Sequence, residues 1–172
     1  MTFAQEGSMS DAYNLLEAVK DKDYAKLQSY LQKGANVNTR DYSDGETPLY
    51  LAAAQKDRVM VTFLLSENAK TDIPRKSTGE TPLMVAARLR ARDVVELLIS
   101  QNADVNISDR SGETALYKAV VGNDRETVKM LLEANADWSI ADNTGRTPLD
   151  IAKEDRRLRS IVRVLESAGV EY

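Results

Sequence analysis

The chain has 172 residues, 42% apolar and 29% charged, which suits one folded domain or one small array and argues against disorder. Its 23 basic and 27 acidic residues leave a net charge of −4, which excludes a general polyanion binder. It has no cysteine and no histidine, so disulfide frameworks, thiolate and imidazole metal sites, cysteine nucleophiles, Ser-His-Asp catalysis and imidazole pH switching are all excluded. No apolar run approaches the roughly 18 residues of a membrane span.

At the N-terminus, residues 1–9 carry no basic segment and no apolar core of a signal peptide. They read as a disordered or expression-derived tail, with Gly7-Ser8 matching a cloning scar. A cytoplasmic location is the expectation, because neither a signal peptide nor a membrane span is visible. The remainder, 10–172, reads as one domain of five units.

Unit one (10–40) has Tyr13-Asn14-Leu15 where later units carry Thr-Pro-Leu, then Asp23, Tyr30-Leu31 and Gly34-Ala35-Asn36-Val37-Asn38. Unit two (41–73) has Gly45-Glu46-Thr47-Pro48-Leu49, Ala52-Ala53, Asp57, Leu64-Leu65 and Asn68-Ala69-Lys70. Unit three (74–107) repeats this as Gly79-Glu80-Thr81-Pro82-Leu83, Ala86-Ala87, Leu98-Ile99 and Asn102-Ala103-Asp104-Val105-Asn106. Unit four (108–140) has Gly112-Glu113-Thr114-Ala115-Leu116, Ala119, Asp124, Leu131-Leu132 and Asn135-Ala136-Asp137. Unit five (141–172) has Gly145-Arg146-Thr147-Pro148-Leu149, Ala152 and Val164-Leu165. The threonines recur 34, 33 and 33 residues apart, a period that marks a repeat architecture.

Within a unit the chemistry predicts two short helices and a polar loop. Thr47, Thr81 and Thr147 sit where a hydroxyl caps a helix, and Pro48, Pro82 and Pro148 occupy the first helical position. The alanines let neighbouring first helices approach closely. Asp23, Asp57 and Asp124 are expected to cap second helices whose apolar residues recur at i, i+3 and i+4, as in Val61, Leu64 and Leu65. The turn-rich segment from Asp104 to Gly112 predicts a projecting finger. Such short helices are marginal alone, so the units must stack into a continuous core.

The Gly-x-Thr-Pro-Leu phrase, the Ala-Ala and Leu-Leu pairs and the Ala-Asp-Val-Asn phrase resemble ankyrin repeats over residues 10–170. The resemblance implies an all-α solenoid of helix-turn-helix units with β-hairpin fingers, in which the first and last units act as caps. It also implies non-catalytic protein–protein recognition through a concave face of fingers and first helices. Two departures stand out. The family's histidine after Thr-Pro-Leu, which bridges to neighbouring loop backbone, is replaced by Tyr50, Met84, Tyr117 and Asp150. Its left-handed turn glycine is replaced by Lys22, Lys56, Arg90, Asn123 and Arg156, of which only asparagine tolerates that backbone well.

Several residues invite a chemical reading. Asp41-Tyr42-Ser43-Asp44-Gly45 faintly matches a calcium loop but lacks the later glutamate, and reads as a finger turn like Asp109-Arg110-Ser111-Gly112 and Asp142-Asn143-Thr144-Gly145. Glu46, Glu80 and Glu113 are expected to form a column beside the helix N-termini, either structural or an acidic stripe for a basic partner. Arg75, Lys76, Arg88, Arg90 and Arg92 form a basic group that either pairs with that column or faces a partner; no aromatic interleaving supports nucleic-acid binding. The arginines of the last unit, Arg156, Arg157, Arg159 and Arg163, read as a solvated end face. Trp138 is expected to lie semi-buried between units, and Phe63, Leu97 and Met130 to pack between repeats.

These readings lead to one expectation. The partner-binding residues are Arg40, Ser43, Asp44 and Glu46; Arg75, Ser77, Thr78 and Glu80; Arg110, Ser111 and Glu113; Asn143, Thr144 and Arg146; with Gln55, Arg88, Leu89 and Val121 on the groove side. The partner is a protein, with no nucleic acid, membrane, metal or cofactor, and the chain is expected to be a monomer. The competing expectation is a regulatory or inhibitory subunit that masks or targets a partner enzyme.

Overall fold

A computed structural model describes the backbone of residues 3–169 and the side chains of residues 11–169. The helices pair as α1 (Phe3–Lys20) with α2 (Tyr24–Gln32), α3 (Pro48–Ala54) with α4 (Arg58–Ser66), α5 (Pro82–Arg88) with α6 (Arg92–Ser100), α7 (Ala115–Val121) with α8 (Arg125–Glu133), and α9 (Pro148–Glu154) with α10 (Arg159–Ser167). The first helices α1, α3, α5, α7 and α9 stack in sequence, and α4, α6, α8 and α10 stack in a second layer. The architecture is an all-α repeat solenoid. No helix among the described residues is long and apolar enough to cross a membrane. The α1 helix extends back to Phe3, into the segment set aside above as a tail.

Four threonines begin the first helices. Thr47, Thr81, Thr114 and Thr147 each accept a hydrogen bond from the backbone N–H three residues on, at 3.1–3.3 Å, with extended backbone at the cap. Thr114 does so without a proline after it. The second helices are capped less uniformly. Asp23 and Asp57 accept from Lys26 N and Met60 N at 3.0 Å, whereas Asp124 makes no side-chain cap bond and Ala91 has none to make.

The core follows the repeat. Ala52, Ala53, Ala86, Ala87, Ala119 and Ala152 are buried, which brings the first helices together. Leu64, Leu98 and Leu131 are fully buried, while their neighbours Leu65, Ile99 and Leu132 are partly buried against the same cluster. Each fully buried leucine contributes roughly 1.5–3 kcal/mol relative to exposure. Trp138, Phe63, Leu97 and Met130 also pack on the core while keeping some exposure.

The turns carry the backbone strain. Lys22, Lys56, Arg90 and Asn123 adopt φ of 56°, 57°, 58° and 52°, so the left-handed turn is kept where glycine is absent. Arg156 is the exception. In the last unit Asp155 is extended, Arg156–Leu158 form a 3₁₀ turn, and α10 begins one residue later in the repeat than its counterparts. The asparagines that open the Asn-Ala phrase (Asn68, Asn102 and Asn135) are also left-handed, at φ 64°, 59° and 62°, and end the second helices.

The fingers are turns, closed at their base by Asp41 N to Glu46 O, Arg75 N to Glu80 O, Asp109 N to Glu113 O and Asp142 N to Arg146 O, at 2.9–3.0 Å, and in the last three also by the turn glycine's N–H on the first residue's carbonyl. No strand ladder forms among the described residues, because each finger then bonds sideways instead. Lys76 N donates to Asp44 O, Arg110 N to Thr78 O and Asn143 N to Ser111 O, at 2.7–2.9 Å. This close approach requires Gly79 and Gly112, at φ 79° and 80°. A β-carbon there would stand 3.0 Å from Arg110 N and 2.9 Å from Asn143 N.

Candidate functional site

Between the units, one bond recurs at the base of the stack. The side-chain oxygens of Asn38, Asp72 and Asn106 accept the backbone N–H of Lys70, Asp104 and Asp137, at 2.7–3.1 Å. The Val-Asn and Thr-Asp phrases therefore staple units one to four, each to the next.

The remaining side-chain fastenings alternate between two edges. Units one and two are held at the helix-turn edge: Tyr24 Oη donates to the Asp57 carboxylate at 2.9 and 3.0 Å, and the Gln55 amide donates to Val19 O and Lys20 O at 3.3 and 3.1 Å. Units three and four use the same edge, with Arg92 on Asp124 at 2.7 Å and Arg90 Nε on Gly122 O at 2.7 Å. Asp124 is fully buried and also accepts from Thr127 Oγ1 at 2.7 Å. Burial opposes its charge, yet the bonds from Arg92 and Thr127 outweigh it and hold the carboxyl below its ordinary range.

Units two and three are held at the finger edge. Tyr50 Oη donates to Glu80 Oε2 at 2.6 Å, and Arg88 reaches both Glu80 oxygens at 2.8 and 3.2 Å. Arg75 pairs with Asp44 at 2.5 Å and Glu46 at 3.2 Å. Units four and five repeat the device, with Tyr117 Oη on Asp142 Oδ2 at 2.7 Å. Burial and the neighbouring carboxylates push both phenols well above the usual tyrosine range. Glu80 is 5% exposed; desolvation pushes its pKa up, but Arg88 and Tyr50 hold it below the ordinary value. The tyrosines thus do the bridging work of the missing histidine through a carboxylate. Met84 and Asp150 turn inward to their own cap instead: Met84 Sδ and Asp150 Oδ2 accept from Thr81 N and Thr147 N at 3.4 and 2.8 Å.

The glutamate column is therefore engaged throughout. Glu46 meets Arg75, Glu80 meets Arg88 and Tyr50, and Glu113 meets Lys118, which also pairs with Asp109 at 2.7 Å. Arg146 replaces the fourth glutamate and lies 3.4 Å from Asp142 and 3.5 Å from Glu154. The Asp41 loop is a finger turn. Its carboxylate accepts from Ser43 Oγ and from the backbone N–H groups of Asp44, Gly45 and Glu46 at 2.5–3.1 Å. Among the described residues no group of three Asp, Glu, His or Cys side chains is placed to hold a metal ion.

Residues 15–109 match the family description "Ankyrin repeats (3 copies)", and residues 98–152 match "Ankyrin repeats (many copies)". The chain belongs to the ankyrin-repeat family. None of the curated proteins compared with it matches. Ankyrin repeats are in general protein–protein interaction modules and are typically not catalytic.

On this ankyrin scaffold the residues singled out from sequence separate by exposure. Ser43, Ser77, Thr78, Arg88, Arg110, Ser111, Val121, Asn143, Thr144 and Arg146 are exposed. Arg40, Asp44, Glu46, Gln55, Arg75, Leu89 and Glu113 are half-buried, and Glu80 is buried. Leu89 packs against the core, whereas Val121, which stands at the repeat position of Arg88, is 58% exposed. Two exposed aromatics on this face, Tyr13 and Tyr42, were not singled out from sequence. Tyr42 sits at a finger tip, where a bulky side chain among serines and asparagines was the available signal.

Proposed function

We propose that this ankyrin-repeat domain is a non-catalytic module that binds a partner protein through its fingers and first helices. The observation that carries the reading is the contrast along each unit. The capping threonines Thr47, Thr81 and Thr114 are at most 2% exposed and identical, whereas the finger tips beside them are exposed and differ from unit to unit. Ser43, Ser77-Thr78, Arg110-Ser111 and Asn143-Thr144 offer different hydrogen-bonding and charge at a regular spacing, on a frame that fixes their positions. Residues whose charges are consumed inside the frame, Glu80 above all, hold the surface rather than form it.

The test begins with affinity capture from the native host and mass spectrometry, followed by titration of the purified partner. Alanine at Arg110, Val121, Asn143 and Arg146 is expected to weaken binding, by about 1 kcal/mol or more at each hot spot. A footprint confined to the outer helices α4, α6 and α8, indifferent to the finger residues, overturns the assignment.

A further inference from the structure

The first helix and the finger of unit two border a cleft of about 570 Å³, within the range of pockets that hold a few residues of a ligand. Leu16 is its buried part and Ala12 is half-buried beside it. Tyr13 and Tyr42 border it at 64% and 85% exposure. Such exposure of two large aromatic rings beside buried apolar surface leaves a site for an apolar side chain.

The charge of the cleft is one-sided. Lys20, Arg40 and Lys76 line it, against one carboxylate, Asp41. Lys20 pairs with Glu17 at 2.8 Å, but the side chains of Arg40 and Lys76 have no hydrogen bond or ion pair among the described residues. Lys76 is pre-positioned: its backbone N–H bonds Asp44 O at 2.7 Å, and its stem crosses Gly45 so closely that a β-carbon there would collide with it. Asp41 is already filled by its four donors. Despite burial, those bonds keep it ionised below its ordinary range, so a doubly charged phosphate would face a fixed negative charge in the same cleft.

We propose that this cleft docks a partner segment in which an aspartate or glutamate stands next to an aromatic or aliphatic side chain. The apolar side chain lies between Tyr13 and Tyr42 over Leu16, and the carboxylate reaches Arg40 and Lys76. Tyrosine and arginine are the residue types that carry most binding energy at interfaces. This inference rests on the proposed function and narrows it to one end of the face and one partner chemistry.

The test pans a random octapeptide phage library on the full chain and measures affinities of the recovered peptides. The expected peptides carry Asp or Glu within two positions of Phe, Tyr, Leu or Ile. They should lose at least tenfold in affinity against the double variant Arg40→Glu/Lys76→Glu and against Tyr42→Ser. They should bind Arg159→Glu, on the far end, as they bind the unaltered chain. Circular dichroism checks that each variant is folded, and Lys76→Gln, which keeps most of the stem, repeats the measurement with a smaller change. Peptides without an acidic residue, or indifferent to the cleft variants, overturn the inference. If the peptides respond instead to Arg110→Glu and Val121→Ser, the cleft is wrong and the proposed function stands. If they respond to no finger or first-helix substitution, both fail.

Discussion

Lys56→Gly should stabilise the domain, and the amount follows from its turn. Lys56 holds φ 57°, a conformation that costs a residue with a β-carbon roughly 1–2 kcal/mol. Its side chain is exposed and makes no bond among the described residues, so nothing is lost with it. Glycine also loosens the unfolded chain, which returns about 0.4–1 kcal/mol. The net gain is about 0.5–1 kcal/mol, which raises the thermal midpoint of a chain this size by roughly 1–4 °C. Arg90→Gly relieves the same strain at φ 58° but removes the bond from Nε to Gly122 O at 2.7 Å, a link between units three and four. A half-exposed bond of this kind is worth roughly 0.5–1.5 kcal/mol, so this variant should be close to neutral. Asn123→Gly should gain nothing, since asparagine already tolerates φ 52°. Thermal and urea unfolding followed by circular dichroism orders the three variants. A lowered midpoint for Lys56→Gly refutes the strain argument, and an equal gain for Arg90→Gly shows that the guanidinium link contributes nothing.

Other outcomes follow from the fastenings. Tyr50→Phe keeps the ring but removes a charge-assisted bond to buried Glu80, and should cost about 1–2 kcal/mol, read as a lower urea midpoint with unchanged slope. Stability should fall in acid: the folded-state pKa values of Glu80, Asp124 and Asp142 are depressed, so their contribution is full above the ordinary values of 4.5 and 3.8 and is lost as pH drops below them. The Tyr50 phenol is shifted the other way, so its contribution is full below 10.0 and is lost as pH rises beyond it; unfolding midpoints from pH 2 to 11 test both limbs. Arg159→Glu places an acid at the start of α10 and four residues before Arg163, which should raise stability by about 0.5–1 kcal/mol at low ionic strength and by less in added salt.

Much of the frame was legible because it is built from local rules. A threonine before proline caps a helix wherever it stands, and the paired leucines and alanines announce their burial by spacing. The left-handed turns were legible too, down to the lysine and arginine that replace glycine. What stayed hidden depends on contacts about 25–35 residues apart. No local rule says that Tyr50 reaches Glu80 or that Tyr24 reaches Asp57. The surface reading of Glu80 was misleading for the same reason, since its burial comes from Tyr50 in one unit and Arg88 in its own. Arg156 shows the converse: the register of the last unit placed it at a left-handed turn, but Asp155 accepts from Arg157 N at 2.9 Å and a 3₁₀ turn forms instead. The cleft beside Tyr13 and Tyr42 could not be read from sequence, because it exists only where the first helix passes the finger of unit two.

The alternation of edge fastenings has a mechanical consequence. A joint tied at the helix turns is more compliant along its finger side, and a joint tied at the fingers is more compliant along its back. The side-chain ties of successive joints lie at opposite edges, while finger-to-finger backbone bonds run from unit two to unit five. Splaying on the finger side concentrates between units one and two, because the fingers of units three and four stay joined by Arg110 N on Thr78 O. Tyr13 and Tyr42 both border the cleft at the joint between units one and two, so the edge that gives most easily borders the cleft that a partner segment would have to enter.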